Sequence, residues 1–199
     1  MVLTPSVMVK LGNQAPDFSL RDVVTGRIYS LFSLSAKKIL LVMFICRHCP
    51  YVQHVKKELT RLSMDYAQKN LAFVAISSND ARNYPEDAPQ KLKEMALEEG
   101  WRFPFLYDET QETAKRYMAA CTPEFFMYDQ KRELIYRGQL DDSRPGNGKP
   151  LTGKDLRDAL NAALADRPPA EEQKASIGCN IKWKRDNEPE FLVAGGKTV

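Results

Sequence analysis

Residues Ile39 to Ile45 are seven consecutive apolar side chains with no polar interruption. A half-buried strand alternates and a surface helix shows a stripe, so this run predicts a strand covered on both faces, as in a parallel sheet. The next segment changes period. Val52, Val55, Leu59, Leu62 and Tyr66 are spaced 3, 4, 3 and 4, one face of a helix, with Lys56, Lys57, Arg61 and Asp65 off that face. Leu71 to Ser77 is a second apolar strand. Strand, helix and strand then form a right-handed crossover into a parallel sheet.

Around this unit the pattern predicts an α/β chain. Asp17–Leu20 and Arg27–Leu31 read as a hairpin across the Thr25-Gly26 turn. Residues 79–89, rich in Asn, Asp and Pro, read as a long loop, followed by helices over 88–99 and 108–119. Glu124–Tyr128 and Glu133–Leu140 read as a second hairpin, and Leu156, Leu160 and Ala163 mark a last helix. From Asp166 no periodicity remains, which predicts a tail draped on the domain or partly mobile. The expected division is a domain over 1–165 and a tail over 166–199, docked on or near it.

A chain of 199 residues has room for one domain of this kind. Its longest apolar run falls far short of the roughly twenty residues that span a bilayer, so a soluble protein with no membrane partner is expected. The net charge of +3 comes from bases interleaved with acids, not from a basic stripe, which disfavours nucleic acid. The start, MVLTPSVMVKLG, lacks the features of a secretory signal, so a cytoplasmic location is expected. Four cysteines are too few for a disulfide scaffold. Two of them three apart, in a reducing compartment, point to redox or metal chemistry.

Those two are Cys46 and Cys49, in Cys46-Arg47-His48-Cys49. They lie between the most apolar strand and the start of the following helix, where unpaired amides and the positive dipole end favour a thiolate. Spacing three in a first turn brings two sulfurs within bridging distance, so one can attack a substrate and the other release it. Arg47 and His48 add positive charge beside Cys46, and stabilising the reduced form makes the disulfide a stronger oxidant. The alternative is a zinc knuckle or a pair of buried thiols. A structural zinc site needs four ligands, and His48, His54, Cys121 and Cys179 supply no second paired motif, so no metal is expected.

The motifs Leu11-Gly12, Ala15-Pro16-Asp17-Phe18 and Leu20, then Leu41-Val42 and Phe44 leading into Cys46-x-x-Cys49-Pro50, then Thr122-Pro123 and Phe125, are similar to the thioredoxin-like redoxins of the AhpC/TSA superfamily. The resemblance covers residues 10 to 165. Cys46-x-His48-Cys49-Pro50-Tyr51-Val52 and Ile177-Gly178-Cys179-Asn180-Ile181-Lys182-Trp183 resemble a smaller set of thioredoxin family proteins, related to peroxiredoxins and to thiol:disulfide interchange proteins. The resemblance implies a thioredoxin fold with an N-terminal β-hairpin extension, a central mixed sheet flanked by helices, and an irregular C-terminal tail. It also implies a cis Pro123 facing the cysteines, with the Thr122 backbone docking an extended substrate as an added strand.

The implied activity is that of a thiol:disulfide oxidoreductase. Cys46 is then the exposed nucleophile, Cys49 the resolving thiol and His48 a thiolate stabiliser, with Arg47, Thr122 and Pro123 at the substrate. No cofactor is implied. The partners are a disulfide substrate and a thioredoxin, glutaredoxin or glutathione reductant, and the chain is expected as a monomer or weak dimer. Two departures matter. Leu40 stands where thioredoxins keep a buried carboxylate, which leaves water, His48 or Glu124 to take the proton of Cys49. Met43 stands where peroxiredoxins keep a hydroxyl that holds peroxide, which makes a peroxiredoxin-like peroxidase the alternative reading. A non-catalytic redox sensor is the second alternative.

Cys121 and Cys179 are accessory thiols. Cys121 precedes Thr122 directly, either buried or on the rim of the groove. About 40 Å of extended chain lies between Asp166 and Cys179 at roughly 3.3 Å per residue, so Cys179 can reach the active face. It is either a regulatory or second resolving thiol or an idle one. Ile177, Ile181 and Trp183 are expected to dock over the cysteine groove, each burial contributing about 1.5–3 kcal/mol.

Overall fold

The computed structural model describes residues 3–194. The chain runs through β1 (Leu3–Pro5), β2 (Ser19–Asp22), β3 (Ile28–Ser30), β4 (Ile39–Phe44), α1 (Pro50–Asp65), β5 (Leu71–Ser77), α2 (Pro89–Glu98), β6 (Phe105–Tyr107) and α3 (Glu112–Arg116). It continues through β7 (Cys121–Thr122), β8 (Glu124–Tyr128), β9 (Leu134–Gly138), α4 (Lys154–Leu164), β10 (Ile177–Asn180) and α5 (Glu190–Ala194).

Seven strands make the main sheet in the order β3-β2-β6-β5-β4-β8-β9. The apolar run is its middle: β4 pairs parallel with β5 and antiparallel with β8, and β5 pairs parallel with β6. Every residue of β4 is buried because alternate side chains enter two cores. Ile39, Leu41 and Met43 pack with Val52, Val55, Leu59 and Leu62 of α1 and Leu156 and Leu160 of α4. Leu40, Val42 and Phe44 pack with Phe126, Tyr128 and Tyr117 on the other face. The Tyr117 ring lies 5.6 Å from that of Phe44 and 5.9 Å from that of Phe126. The β2–β3 turn is fixed by buried Asp22, whose carboxylate accepts from Thr25 N at 2.9 Å and from Phe105 N at 2.9 Å.

Besides β1, β7 and α5, for which no sequence pattern predicts an element, three elements differ from the sequence expectation. β6 was not anticipated: it is three residues long, follows Pro104, and gains its identity only from pairing with β5. The helix expected over 108–119 is confined to Glu112–Arg116. Its expected first turn is a hydrogen-bonded loop in which buried Asp108 accepts from Ser78 Oγ and Ala114 N, while left-handed Gln111 and Met118 bound the helix.

The tail also forms a strand. β10 sits between β1 and β7 in a second, three-stranded antiparallel sheet. Beyond it the chain is fastened by side chains: Lys182 N donates to Asn79 Oδ1 at 2.8 Å, Gln111 Nε2 donates to Lys182 O at 2.9 Å, and Lys184 N donates to Gln111 Oε1 at 2.9 Å. Ile181 is buried in the second core and Trp183 packs against it, whereas Ile177 remains 38% exposed. Ile177 occupies the outward position at the start of β10, and Ile181 and half-buried Trp183 enter the core on the sheet face opposite Cys46 and Cys49, so the expected docking of these three side chains over the cysteine groove is replaced by docking of the β10 backbone and Cys179.

Candidate active site

Cys46 follows the end of β4, and Cys49 is the N-cap of α1 with Pro50 in its first turn. The helix start is therefore Cys49, three residues beyond the cysteine expected there. The loop between them is held from outside by Asp87, whose side chain is fully buried. Asp87 Oδ1 accepts from Arg47 N at 2.7 Å and His48 N at 3.1 Å. Its Oδ2 accepts from Asn79 Nδ2 at 2.8 Å and pairs with His48 Nδ1. Arg47 pairs with Glu86, and its carbonyl accepts from Gln53 Nε2 at 2.5 Å. Tyr84 stacks on the His48 ring at 5.4 Å.

Three sulfurs meet here. Cys49 Sγ is in contact with Cys46 and lies 2.9 Å from Cys179 Sγ, and it also lies 3.2 Å from the Thr122 carbonyl oxygen. The Thr122 hydroxyl is 3.3 Å from Cys46 Sγ. None of the four cysteines is in a disulfide. Cys46 is 1% exposed and Cys49 0%, so the exposed nucleophile expected from the sequence is covered.

The cover is β10. Cys179 stands opposite Thr122 and Asn180 opposite Cys121 in the antiparallel β10–β7 pair, so the chain's own tail occupies the edge expected to receive substrate. The Thr122–Pro123 peptide is cis and lies against the cysteines.

The charge pattern also departs from expectation. Arg47 and His48 each face an acid, so neither is an unopposed cation beside Cys46. Burial, the contact with Cys49 and the negative charge of Asp87 push the Cys46 thiol well above its ordinary range, and the Thr122 hydroxyl offsets only part of this. Contact with Cys179, then with Cys46, pulls the Cys49 thiol down against the cost of burial, with help from Thr122 and the Val52 amide of the helix N-terminus.

Cys121 is buried and its thiol is pushed well up, first by burial and then by the charge of Glu124. Glu124 does not serve Cys49. Strand alternation turns its side chain to the face opposite the cysteines, where Oε2 accepts from Ala120 N at 2.7 Å and Cys121 N at 3.2 Å. Leu40 and Met43 are both core residues. His54 Nε2 lies 2.8 Å from Ser143 Oγ, away from the sulfurs. Among the described residues Cys46, His48 and Asp87 each present a ligand atom within 4.8 Å of the others, one donor fewer than a structural zinc site uses. Asp87 and Asn79 are the site residues that sequence reasoning missed. Nothing local separates Asp87 from Asp80 and Glu86 in the same polar loop.

A cysteine pair between the central strand and its helix, facing a cis proline at the head of an antiparallel hairpin, defines a thioredoxin-fold redoxin. The chain belongs to the AhpC/TSA family, which residues 11–137 match. It is similar to an uncharacterized conserved protein of Geobacillus kaustophilus at 53% identity and a TM-score of 0.92, over 94% of this chain and 98% of that one. A hypothetical protein of Sinorhizobium meliloti 1021 is 45% identical with a TM-score of 0.90, over 92% of this chain and 99% of that one. At 19% identity and a TM-score of 0.59, a thiol:disulfide interchange protein of Chlorobium tepidum shares the fold over 78% of this chain and 98% of its own. No curated protein matches the chain. The family is one of thioredoxin-like redox proteins acting on disulfides or peroxides. No described helix is long and apolar enough to cross a membrane.

Proposed function

We propose that the protein is a thiol:disulfide oxidoreductase that works through a Cys46/Cys49 dithiol–disulfide couple on protein or small-molecule disulfides. The observation that carries this reading is the contact of Cys46 with Cys49 at the start of α1, beside Thr122 and cis Pro123. The Cys46 thiolate attacks one sulfur of the substrate disulfide, forming a mixed disulfide and releasing the other sulfur as a thiolate. Cys49 then attacks Cys46 Sγ and expels the second substrate thiolate. Two thiols of the protein become one disulfide as one substrate disulfide becomes two thiols. A thioredoxin, glutaredoxin or glutathione system returns the electrons.

Substrate access requires β10 to leave the Thr122 edge. Its departure takes Cys179 away from Cys49 and brings water to Cys46, which relieves the burial that holds the Cys46 thiol up. His48, anchored to Asp87, sets the shape of the loop, and Arg47, Thr122 and Pro123 line the edge. The segment of residues 166–194 acts as a strap across the redoxin domain of residues 1–165.

The peroxidase reading keeps one supporting feature: the Thr122 hydroxyl offers Cys46 a polar neighbour that Met43 does not. Two assays separate the readings. Insulin reduction with a dithiol should outpace peroxide turnover in a coupled NADPH assay, and Cys49→Ser should accumulate a mixed disulfide through Cys46. Faster peroxide turnover would replace the disulfide reading with the peroxidase one.

A further inference from the structure

We propose that Cys179 is a third redox thiol, which takes Cys49 over from the Cys46–Cys49 disulfide and leaves Cys46 as a thiol in the oxidised protein. This deepens the functional reading above and rests on it, because the exchange starts from the disulfide that reading forms.

The geometry is that of a relay with Cys49 in the middle. Cys49 touches Cys46 on one side, and Cys179 Sγ stands 2.9 Å away on the other. A bonded pair of sulfurs lies at about 2.05 Å, so closing the second contact takes a movement of under about 1 Å. Two features of β10 hold Cys179 there. Its backbone pairs with Thr122, and Gly178 passes so close to that residue that a β-carbon would stand 2.0 Å from the Thr122 oxygen. At 0% and 2% exposure, Cys49 and Cys179 are shielded from oxidants in solvent, so exchange inside the protein is the chemistry open to them.

The step is redox-neutral. The sulfur of Cys179 attacks Cys49 Sγ, the Cys46–Cys49 bond breaks, the Cys49–Cys179 bond forms, and the proton given up by Cys179 ends on the leaving Cys46 sulfur. No external oxidant takes part beyond the substrate disulfide that formed the first bond. In the reduced protein Cys179 is held protonated, because its contact with Cys49 and then its burial raise its thiol. Once Cys49 is bonded to Cys46 it no longer raises Cys179 as a neighbouring thiol, and nearby Lys182 favours ionisation of Cys179. The attack is thus enabled only after the first disulfide has formed. Its product ties β10 to α1 and leaves Cys46 able to exchange with a further disulfide.

Disulfide mapping tests this. The full chain is oxidised with glutathione disulfide, quenched with acid, alkylated, digested without reduction and read by mass spectrometry. The wild type should contain Cys49–Cys179 with Cys46 outside that bond, Cys179→Ser should hold only Cys46–Cys49, and Cys46→Ser, which cannot make the first disulfide, should form Cys49–Cys179 at least tenfold more slowly than the wild type. The wild type carries the test even where a variant misfolds. Absence of a Cys49–Cys179 bond from the wild type, or its formation in folded Cys46→Ser as fast as in the wild type, with Cys46–Cys49 present in Cys179→Ser, overturns this inference alone. Failure of Cys179→Ser to form any Cys46–Cys49 bond overturns the functional reading on which it rests.

Discussion

Gly178 lies so near Thr122 that no β-carbon fits between its backbone and the Thr122 carbonyl, and it is this approach that lets β10 lie over the cysteines. Gly178→Ala should therefore push the strand off without altering the thiols themselves. Overpacking of this kind costs about 1–3 kcal/mol. Since about 1.4 kcal/mol is a factor of ten in an equilibrium, the population with an open edge should rise about 5- to 150-fold. Iodoacetamide labelling of Cys46 and Cys49 under native conditions should accelerate accordingly, with the melting temperature lower by about 2–4 °C per kcal/mol. A lower melting temperature with unchanged labelling would mean that β10 does not gate the site. Deleting the tail is a blunter route, because it also removes Ile181 from the second core.

Thr122→Val removes the hydroxyl that touches Cys46 and keeps the shape of the side chain. A hydrogen bond to a charged group contributes about 1.5–3 kcal/mol, so the variant should reduce insulin disulfides about 10- to 100-fold more slowly. The Cys46 thiol should also titrate higher, since the hydroxyl is the group that lowers it. A pH series of alkylation followed by mass spectrometry reads both. An unchanged rate and an unchanged titration would take Thr122 out of the reaction.

Asp87 gives a pH signature. Burial raises its carboxyl, but hydrogen bonds from His48 and Asn79 more than offset this, and the net shift is downward. A carboxyl lowered by folding stabilises the native state above its unfolded value of about 3.9 and loses that contribution as pH falls through the folded value. Asp87→Asn should thus melt below the wild type at pH 6, with the gap narrowing below about pH 4. The same variant should lower the Cys46 thiol, because the Asp87 charge is one of the groups that raise it. A melting gap of constant size from pH 3 to pH 7 would contradict the assignment of that charge.

The parts of this protein that were legible in the sequence are those whose signal is local. β4, α1 and β5 declare themselves because two-sided burial needs an unbroken apolar run and a one-sided helix needs a stripe. β6 is too short to carry a period, and what makes it a strand is the edge of β5 beside it. The tail is fastened by side chains far away in sequence, Asn79 and Gln111, so no pattern within it shows where it lies. The same holds for the site. The cysteine pair and Thr122-Pro123 are readable as motifs, but the burial of Cys46, the acids opposite Arg47 and His48, and the Cys49–Cys179 contact across 130 positions follow from long-range packing.

Glu124 supplies the last prediction, and its sign is opposite to that of Asp87. Its carboxyl is fully buried, Oε2 accepts two backbone amides, and Oε1 has no hydrogen-bond partner. Burial raises its pKa, so the native state keeps the proton longer than the unfolded chain does. The stability this contributes is complete below the unfolded value of about 4.3 and is lost as pH rises through the folded value. Glu124→Gln is neutral at every pH, and its amide oxygen can keep the bonds to Ala120 N and Cys121 N. Its NH2 group takes the unpartnered place of Oε1 at a cost of about 1–3 kcal/mol that does not change with pH. The melting temperature of Glu124→Gln relative to wild type should therefore improve between pH 4 and pH 7.5. That window stays below the titration of Cys121, whose Sγ lies 3.9 Å from Oε2 and whose thiol is held protonated by burial. A difference that is flat across it, or that worsens with rising pH, would show that Glu124 enters the fold already ionised.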